Sequence, residues 1–292
     1  YLADFPVTGA KDIVVSGSYA YIGTNNGLEI LDVSSSLAPN KLSDLTFFTT
    51  GPKLFYAFPF IFSCDGTVGV NIINIADRTA PTKVTTFDTS LCIDIEVVGG
   101  YAYVADGTNG LLIVDISTIG TPVLTSTINV GGSVNSIAID GSTAILGVKN
   151  VGGLDGIIAV DISDPTDSTP TITPITETNG GTETYSGPND VVVQGSYAYV
   201  ADWDTGVTAI DVSSALSLKI KQANFWNNLT ASGRAHSIFA FGQYLFIAAG
   251  ADGLVILDLR NPAALSLAEV GRYNPSGLIT GVWVEKDLIY LA

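Results

Sequence analysis

The sequence predicts an all-β repeat fold, because one motif recurs six times along its 292 residues. The motif reads Asp-Val-x-Val-x-Gly-x-Tyr-Ala-Tyr-Val-Ala-Asp, then a glycine, then Leu-x-Ile-x-Asp-Val-Ser. Two landmarks measure its period: the glycine that opens the last strand of each copy, and the residue that closes that strand. Successive landmarks lie 42, 41, 46, 50 and 47 residues apart in both series. The glycines are Gly27, Gly69, Gly110, Gly156, Gly206 and Gly253, and the closing residues are Asp32, Asn74, Asp115, Asp161, Asp211 and Asp258.

A period of about 40 to 50 residues with several short strands in each copy is typical of a β-propeller, whose blades bury their faces against one another. The fifth copy shows the strands most clearly. Asp190 to Val193, Tyr197 to Ala201, Val207 to Val212 and Leu218 to Ala223 predict its four strands in order. Apolar runs such as Tyr-Ala-Tyr-Val-Ala favour strands that are covered on both faces.

The two chain ends add a seventh blade to this prediction. Gly281 to Glu285 and Leu288 to Ala292 match the first two strands of a copy, and Leu2 to Val7 matches a fourth strand. We therefore predict a single seven-bladed domain over residues 1–292, closed when the N-terminal outer strand pairs with the C-terminal blade. That blade lacks a third strand, so either it has three strands or a longer protein supplies the segment. The predicted blades span residues 10–50, 52–90, 92–130, 134–177, 188–225, 235–273, and 277–292 with 1–8.

Two of the closing strands carry a family resemblance. The segments Gly110 to Asp115 and Gly253 to Asp258 resemble the LVIVD repeat of bacterial and archaeal proteins. The likeness covers nearly the whole chain, although the second copy has Asn74 for the closing Asp and the fourth has Thr143 to Ile145 for the aromatic strand. The resemblance implies a propeller with a surface-associated location, and it transfers no catalytic residue.

Composition narrows the class of partner. A net charge of −16 with only 12 Lys and Arg residues disfavours nucleic acid, since phosphate binding depends on clustered cations. The chain is 47% hydrophobic, yet no apolar run reaches the roughly 18 residues of a membrane span. Because the sequence begins at Tyr1 and contains no Met, we expect a mature or trimmed piece. We predict a monomeric domain that is extracellular, on the cell surface or periplasmic.

The two cysteines, Cys64 and Cys92, are predicted at the end of a second strand and the start of the next first strand. These places share one rim of the ring. A disulfide between neighbouring blades is therefore possible, and two buried thiols are the alternative.

Two sets of repeated acids are predicted to be structural. Four of the closing residues, Asp32, Asp115, Asp161 and Asp211, precede a Ser by two positions, a spacing that lets them accept hydrogen bonds from turn amides. Asp65, Asp106 and Asp202 enter glycine turns. The segment from Asp202 to Gly206 resembles the front of a calcium loop but lacks the further oxygen ligands and the terminal Glu. We therefore predict no cofactor, with calcium as the weaker alternative.

A third repeated set opens the innermost strands, which line the central channel of a propeller. It contains Asp12, Asp94 and Asp190, with Ser136 and Ser237 in equivalent places. These side chains either tie adjacent blades together through backbone amides or form an acidic collar that binds a cation or the hydroxyl groups of a ligand.

Catalytic signatures are sparse. His236 is the single histidine, and Ser237 is adjacent to it rather than opposed to it. A serine triad needs a nucleophile and a third group on either side of the base, and zinc sites usually take several His and Cys ligands. We predict a protein without catalytic residues, and the alternative is a hydrolase or lyase with its site at the channel mouth.

Departures from the repeat point to function more directly, since insertions in repeat proteins often gather on the binding face. They occur at Lys149 to Asp155, Thr178 to Pro188 and Asn224 to Ala235, all on the rim where first strands begin. We predict that this rim of blades four to six binds a protein or a glycan. A structural spacer in a larger surface protein is a further alternative. The candidate contact residues are Tyr185, Trp203, Asp204, Trp226, Arg234 and His236.

Overall fold

The computed structural model describes residues 4–47, 52–151, 154–175, 187–202, 206–213, 224–226, 228–229, 233–262, 267–275 and 277–292. The described residues form 26 strands arranged in six four-stranded sheets and one two-stranded sheet. In each four-stranded sheet the strands pair antiparallel in sequence order, as they do in propeller blades. Within these ranges no helix is long and apolar enough to cross a membrane.

The strands of the first three blades are β1 (Ala10–Ser16), β2 (Tyr19–Thr24), β3 (Gly27–Asp32), β4 (Asn40–Thr46), β5 (Lys53–Ala57), β6 (Phe60–Cys64), β7 (Val70–Asn74), β8 (Thr82–Phe87), β9 (Asp94–Val98), β10 (Tyr101–Ala105), β11 (Leu111–Asp115) and β12 (Val123–Ile128). Those of the next three are β13 (Ser133–Asp140), β14 (Thr143–Val151), β15 (Leu154–Asp161), β16 (Ile172–Ile175), β17 (Pro188–Gln194), β18 (Tyr197–Asp202), β19 (Gly206–Asp211), β20 (Asn224–Trp226), β21 (Gly233–Phe241), β22 (Tyr244–Gly250), β23 (Leu254–Asp258) and β24 (Ala268–Tyr273). The two-stranded sheet consists of β25 (Val282–Glu285) and β26 (Leu288–Leu291).

The propeller prediction is confirmed, but the prediction of seven blades is wrong, since the described residues form six four-stranded blades. No third strand pairs with β26 within the described ranges, and residues 4–7 form no strand. The outer strand of a blade pairs with the third strand, and paired strands lie only about 4.8 Å apart. Without a third strand, an outer strand would be too far from the second strand to pair with it. Phe5 and Val7 instead pack against the apolar core of blade 1. The predicted closure by an N-terminal outer strand is therefore not formed by the described residues.

The ring is closed by the innermost strands instead. The strands β1, β5, β9, β13, β17, β21 and β25 contact one another in that order, and β25 returns to β1. Apolar clusters fill the spaces between neighbouring sheets. In β10, Ala102 packs towards blade 2 and Tyr103 towards blade 4. This confirms the prediction that second strands are covered on both faces.

The landmark residues of the repeat have local structural causes. Gly110 has a φ of 92°, and a Cβ there would lie 2.2 Å from the carbonyl oxygen of Ile128. Only glycine fits this close approach at a positive φ. The closing Asp115 accepts a 2.8 Å hydrogen bond from the Ser117 amide, as predicted, and Asn74 accepts one from Ala76 in the same way.

Cys64 and Cys92 form a disulfide between blades 2 and 3, with their Cα atoms 5.3 Å apart. Both residues are buried. Reciprocal backbone hydrogen bonds between Gly66 and Cys92 hold the same two blades together beside it. Of the two alternatives for these cysteines, the structure contains the bridge.

Candidate functional site at the channel mouth

The strand register places seven equivalent positions around one mouth of the channel, which we call the entry mouth. Each position pairs with the fifth residue counted from the first residue of the second strand in its own sheet. The seven residues are Asp12, Lys53, Asp94, Ser136, Asp190, Ser237 and Gly281.

Lys53 was missed by the sequence prediction, which started the second copy at Leu54. Counting would have found it, because Asp94 lies 16 residues before Gly110 and the same count from Gly69 reaches Lys53. The five residues that were predicted at the channel mouth all belong to this set of seven. The entry mouth is therefore a mixed-charge cluster rather than a purely acidic collar.

The three aspartates of the entry mouth bind backbone amides of the first strands. Asp94 accepts 2.9 Å and 3.0 Å hydrogen bonds from the amides of Ile95 and Ile137, one in its own blade and one in the next. Asp190 makes the same pair of bonds with Val191, at 3.1 Å, and Ile238, at 2.9 Å.

Asp12 accepts a 2.8 Å bond from the Leu54 amide of blade 2. Aspartates thus occur in blades 1, 3 and 5, and each binds the blade that follows it. One carboxylate can join two blades, because each of its oxygens can accept a different amide. These bonds satisfy donors that an innermost strand, lacking a neighbour on the channel side, leaves open.

Lys53 spans the entry mouth. Its Nζ lies 3.3 Å from the Asp190 Oδ2 atom, so the side chain connects blade 2 with blade 5 across the channel. The Lys53 side chain is 30% exposed, whereas that of Asp190 is 6% exposed. Burial acts to lower the pKa of Lys53, but the carboxylates of Asp190, Asp12 and Asp94 outweigh it and raise this pKa above its ordinary value.

Two carboxyl groups on β9 have strongly raised pKa values. Burial, opposed by Lys53 and reinforced by Asp190, raises the pKa of Asp94 to about 7. Glu96 follows two residues later on the same face of the strand, and burial together with the charge of Asp94 raises its pKa to about 8. One ammonium group thus faces an excess of carboxyl groups. Among the described residues, no group of three or more His, Cys, Asp or Glu side chains has a metal-binding arrangement.

The predicted rim patch is only partly within the described residues. Tyr185, Trp203 and Asp204 lie outside them. Arg234 is exposed and His236 is half-buried at the start of β21. Burial and the neighbouring charge of Arg234 lower the pKa of His236, which is therefore neutral at pH 7.

Trp226 does not lie on the surface. It is 5% exposed and packs in the apolar cluster between blades 5 and 6. Its indole N–H donates a hydrogen bond to Glu269 of the outer strand of blade 6. The sequence prediction treated this residue as a contact for a partner. The structure corrects that assignment, because an aromatic side chain in a short outer strand fills the space between two blades.

A comparison with protein-family models finds the LVIVD repeat at residues 9–43, 92–130, 188–222 and 232–274, more than half of the sequence. The chain belongs to the LVIVD-repeat family. The family model matches blades 1, 3, 5 and 6 of this LVIVD-repeat protein. Blades 2 and 4 are the two in which the sequence departs from the repeat motif. No curated protein matches it.

Two solved structures are similar to the LVIVD-repeat protein in fold. The computationally designed Ika8 protein is 9% identical, with a TM-score of 0.62 over 97% of this chain and 93% of that chain. BamB from Moraxella catarrhalis is 14% identical, with a TM-score of 0.59 over 97% of this chain and 79% of that chain. Identities this low show the propeller fold alone.

Proposed function

We propose that this LVIVD-repeat propeller is a non-catalytic interaction module outside the cytoplasm or on the cell surface. It binds a protein or a glycan through the rim of blades 4 to 6 at which the first strands begin. The observation that carries this proposal is the clustering of departures from the repeat, at Lys149 to Asp155, Thr178 to Pro188 and Asn224 to Ala235.

The described part of this rim supports the proposal. Arg234 is exposed, and arginine is enriched at protein interfaces and among the residues that dominate their binding energy. His236 presents a neutral, half-buried imidazole beside it. Tyr185 and Trp203, which belong to the same proposed surface, are residue types that combine a large apolar area with a polar group.

The hydrogen bonds at the entry mouth support a structural role, rather than a catalytic one, for its three aspartates. The carboxylates of Asp12, Asp94 and Asp190 accept backbone amides, which is the structural alternative considered for them. A carboxylate that orients a catalytic histidine raises the pKa of that histidine, whereas the pKa of His236 is lowered.

The proposed location rests on the Cys64–Cys92 disulfide. Disulfides persist in oxidising compartments such as the cell surface and the periplasm, and they are rare in the cytosol. The sequence resemblance to surface-associated repeat proteins supports the same compartment.

Replacing Arg234 by Ala is expected to weaken binding to the natural partner by about tenfold or more. A glycan array and crosslinking on intact cells would identify the partner, and biolayer interferometry would measure its affinity. Arg260→Ala is the matched control, because Arg260 is exposed on the opposite rim of the same blade. Equal affinities of the wild type and Arg234→Ala would contradict the proposed surface. Absence of binding in both screens would favour the spacer alternative.

A further inference from the structure

Two residues that depart from the repeat meet on the rim where the first strands end, which we call the exit rim. Phe58 follows the last residue of β5. The other five blades all have a glycine with a positive φ at this turn position: Gly17, Gly99, Gly141, Gly195 and Gly242. Arg78 follows the closing Asn74 by four positions. The other five copies have an uncharged residue there: Ser36, Ile119, Pro165, Ala215 and Pro262.

The backbone of Arg78 has a structural role that does not need its side chain. The hydroxyl of Ser43, in blade 1, donates a 2.6 Å hydrogen bond to the carbonyl of Arg78, in blade 2. Between blades 3 and 4, Ser126 donates the equivalent bond to the carbonyl of Pro165, at 3.3 Å. The two residues thus join neighbouring blades in the same way. The guanidinium is an addition that the joining of blades does not require, and departures of this kind in a repeat protein often serve binding.

Aromatic side chains hold the guanidinium of Arg78 in one place. Its Nε–H donates a 2.8 Å hydrogen bond to the hydroxyl of the buried Tyr21. Its Cζ atom lies 4.3 Å from the ring centroid of Tyr19 and 5.3 Å from that of Phe58. Stacking on a ring uses the flat face of a guanidinium and leaves N–H groups at its edge that can bind a carboxylate. We call Tyr19, Phe58 and Arg78 the exit-rim patch.

Arg78 has no carboxylate partner among the residues that the structure describes, although the chain has 28 Asp and Glu residues. Arg260 lies on the same rim and pairs with Asp258. The carboxylate nearest to Arg78 in sequence, that of Asp77, instead accepts hydrogen bonds from the amide and the hydroxyl of Thr79. The guanidinium of Arg78 is partly buried, so it gains from a counter-charge that another molecule brings.

We propose that the exit-rim patch binds a partner protein that presents an Asp or Glu side chain next to an apolar one. The carboxylate binds the N–H groups at the edge of Arg78. The apolar neighbour covers the ring of Phe58, which is 57% exposed. Arginine and aromatic residues are enriched at protein interfaces and dominate their binding energy, which favours a protein over an acidic glycan. This patch lies on the rim opposite to the surface proposed above, so the two can be tested separately.

A titration of the intact, isotope-labelled protein with the peptide acetyl-Leu-Glu-Leu-amide tests this proposal by NMR. The side-chain Nε–H resonance of Arg78 is expected to shift saturably, with a dissociation constant in the millimolar range. The analogue acetyl-Leu-Gln-Leu-amide lacks the charge and is expected to bind about tenfold more weakly or worse. The Arg260 resonance is the matched control, because that guanidinium already pairs with Asp258 and should not shift.

Two protein variants test the same patch. Phe58→Gly and Arg78→Pro each introduce a residue that other blades have at the same place, so both variants should fold. Each is expected to weaken binding of the Glu peptide by about tenfold or more, measured at the backbone amide of Thr79. Absence of a saturable shift in the wild type would overturn the proposal, as would equal affinities of the Glu and Gln peptides. An oligogalacturonate that shifts the Arg78 resonance at lower concentrations than the Glu peptide would assign the patch to an acidic glycan, and it would overturn the proposal as well.

Discussion

Replacing Lys53 by Met is expected to lower the free energy of unfolding by about 3 kcal/mol, as expected when one partner of a buried ion pair is removed. Lys53 contacts Asp190 and lies in the field of Asp12 and Asp94. Without the ammonium group, these buried carboxylates repel one another with no opposing charge. Chemical denaturation at pH 7, followed by tryptophan fluorescence, measures the effect.

Two further variants make this prediction specific. Lys41→Met removes a more exposed ammonium group that pairs with Glu29, and it is expected to cost about 0.5 kcal/mol or less. Adding Asp190→Asn to Lys53→Met removes one of the uncompensated charges, so the double variant should regain part of the lost stability. Equal stabilities of Lys53→Met and Lys41→Met would contradict the role of Lys53 as the counter-charge of the entry mouth.

The free energy of unfolding is expected to fall as the pH rises from about 4 to about 8. The folded protein holds the protons of Asp94 and Glu96 up to pH values of about 7 and about 8, well above the ordinary values of 3.8 and 4.5. Between these limits the folded state binds more protons than the unfolded state, so stability falls with rising pH. Each unit of pKa difference between the folded and unfolded states corresponds to about 1.4 kcal/mol for each group. The expected loss over this pH range is therefore on the order of several kcal/mol.

Glu96→Gln should flatten this pH profile and make the protein more stable than the wild type at pH 8. Asp115→Asn is the control. The hydrogen bonds of Ser117 lower the pKa of Asp115, so that residue affects stability only below about pH 4. Denaturation curves at pH 5, 6, 7 and 8 measure the three profiles. A wild-type profile that rises across this range would contradict the raised pKa values.

The blades were predictable from the sequence because their causes are local. A positive φ at Gly110 and an amide bound by Asp115 recur wherever the chain makes the same turn. Alternation and apolar runs then identify the strands between these turns. The number of blades was not predictable in this way. The two C-terminal strands have the same sequence pattern whether or not a third strand pairs with them.

The channel and the rim were predicted less well because their properties depend on contacts between distant residues. Lys53 pairs with Asp190, which is 137 positions away in the sequence. Only the strand register brings the two together. Trp226 illustrates the same limit, since an aromatic residue beside a long loop has the same local sequence whether it is exposed or packed between blades.

The central claim is that the repeated aspartates of the entry mouth hold neighbouring blades together through backbone amides. Residue-resolved amide hydrogen exchange tests it most directly. The amides of Leu54, Ile137 and Ile238 should be strongly protected in the wild type, and Asp94→Ala should remove the protection of Ile137 while leaving the other two slow. Fast exchange of all three amides in the wild type, at rates typical of exposed turns, would contradict the claim.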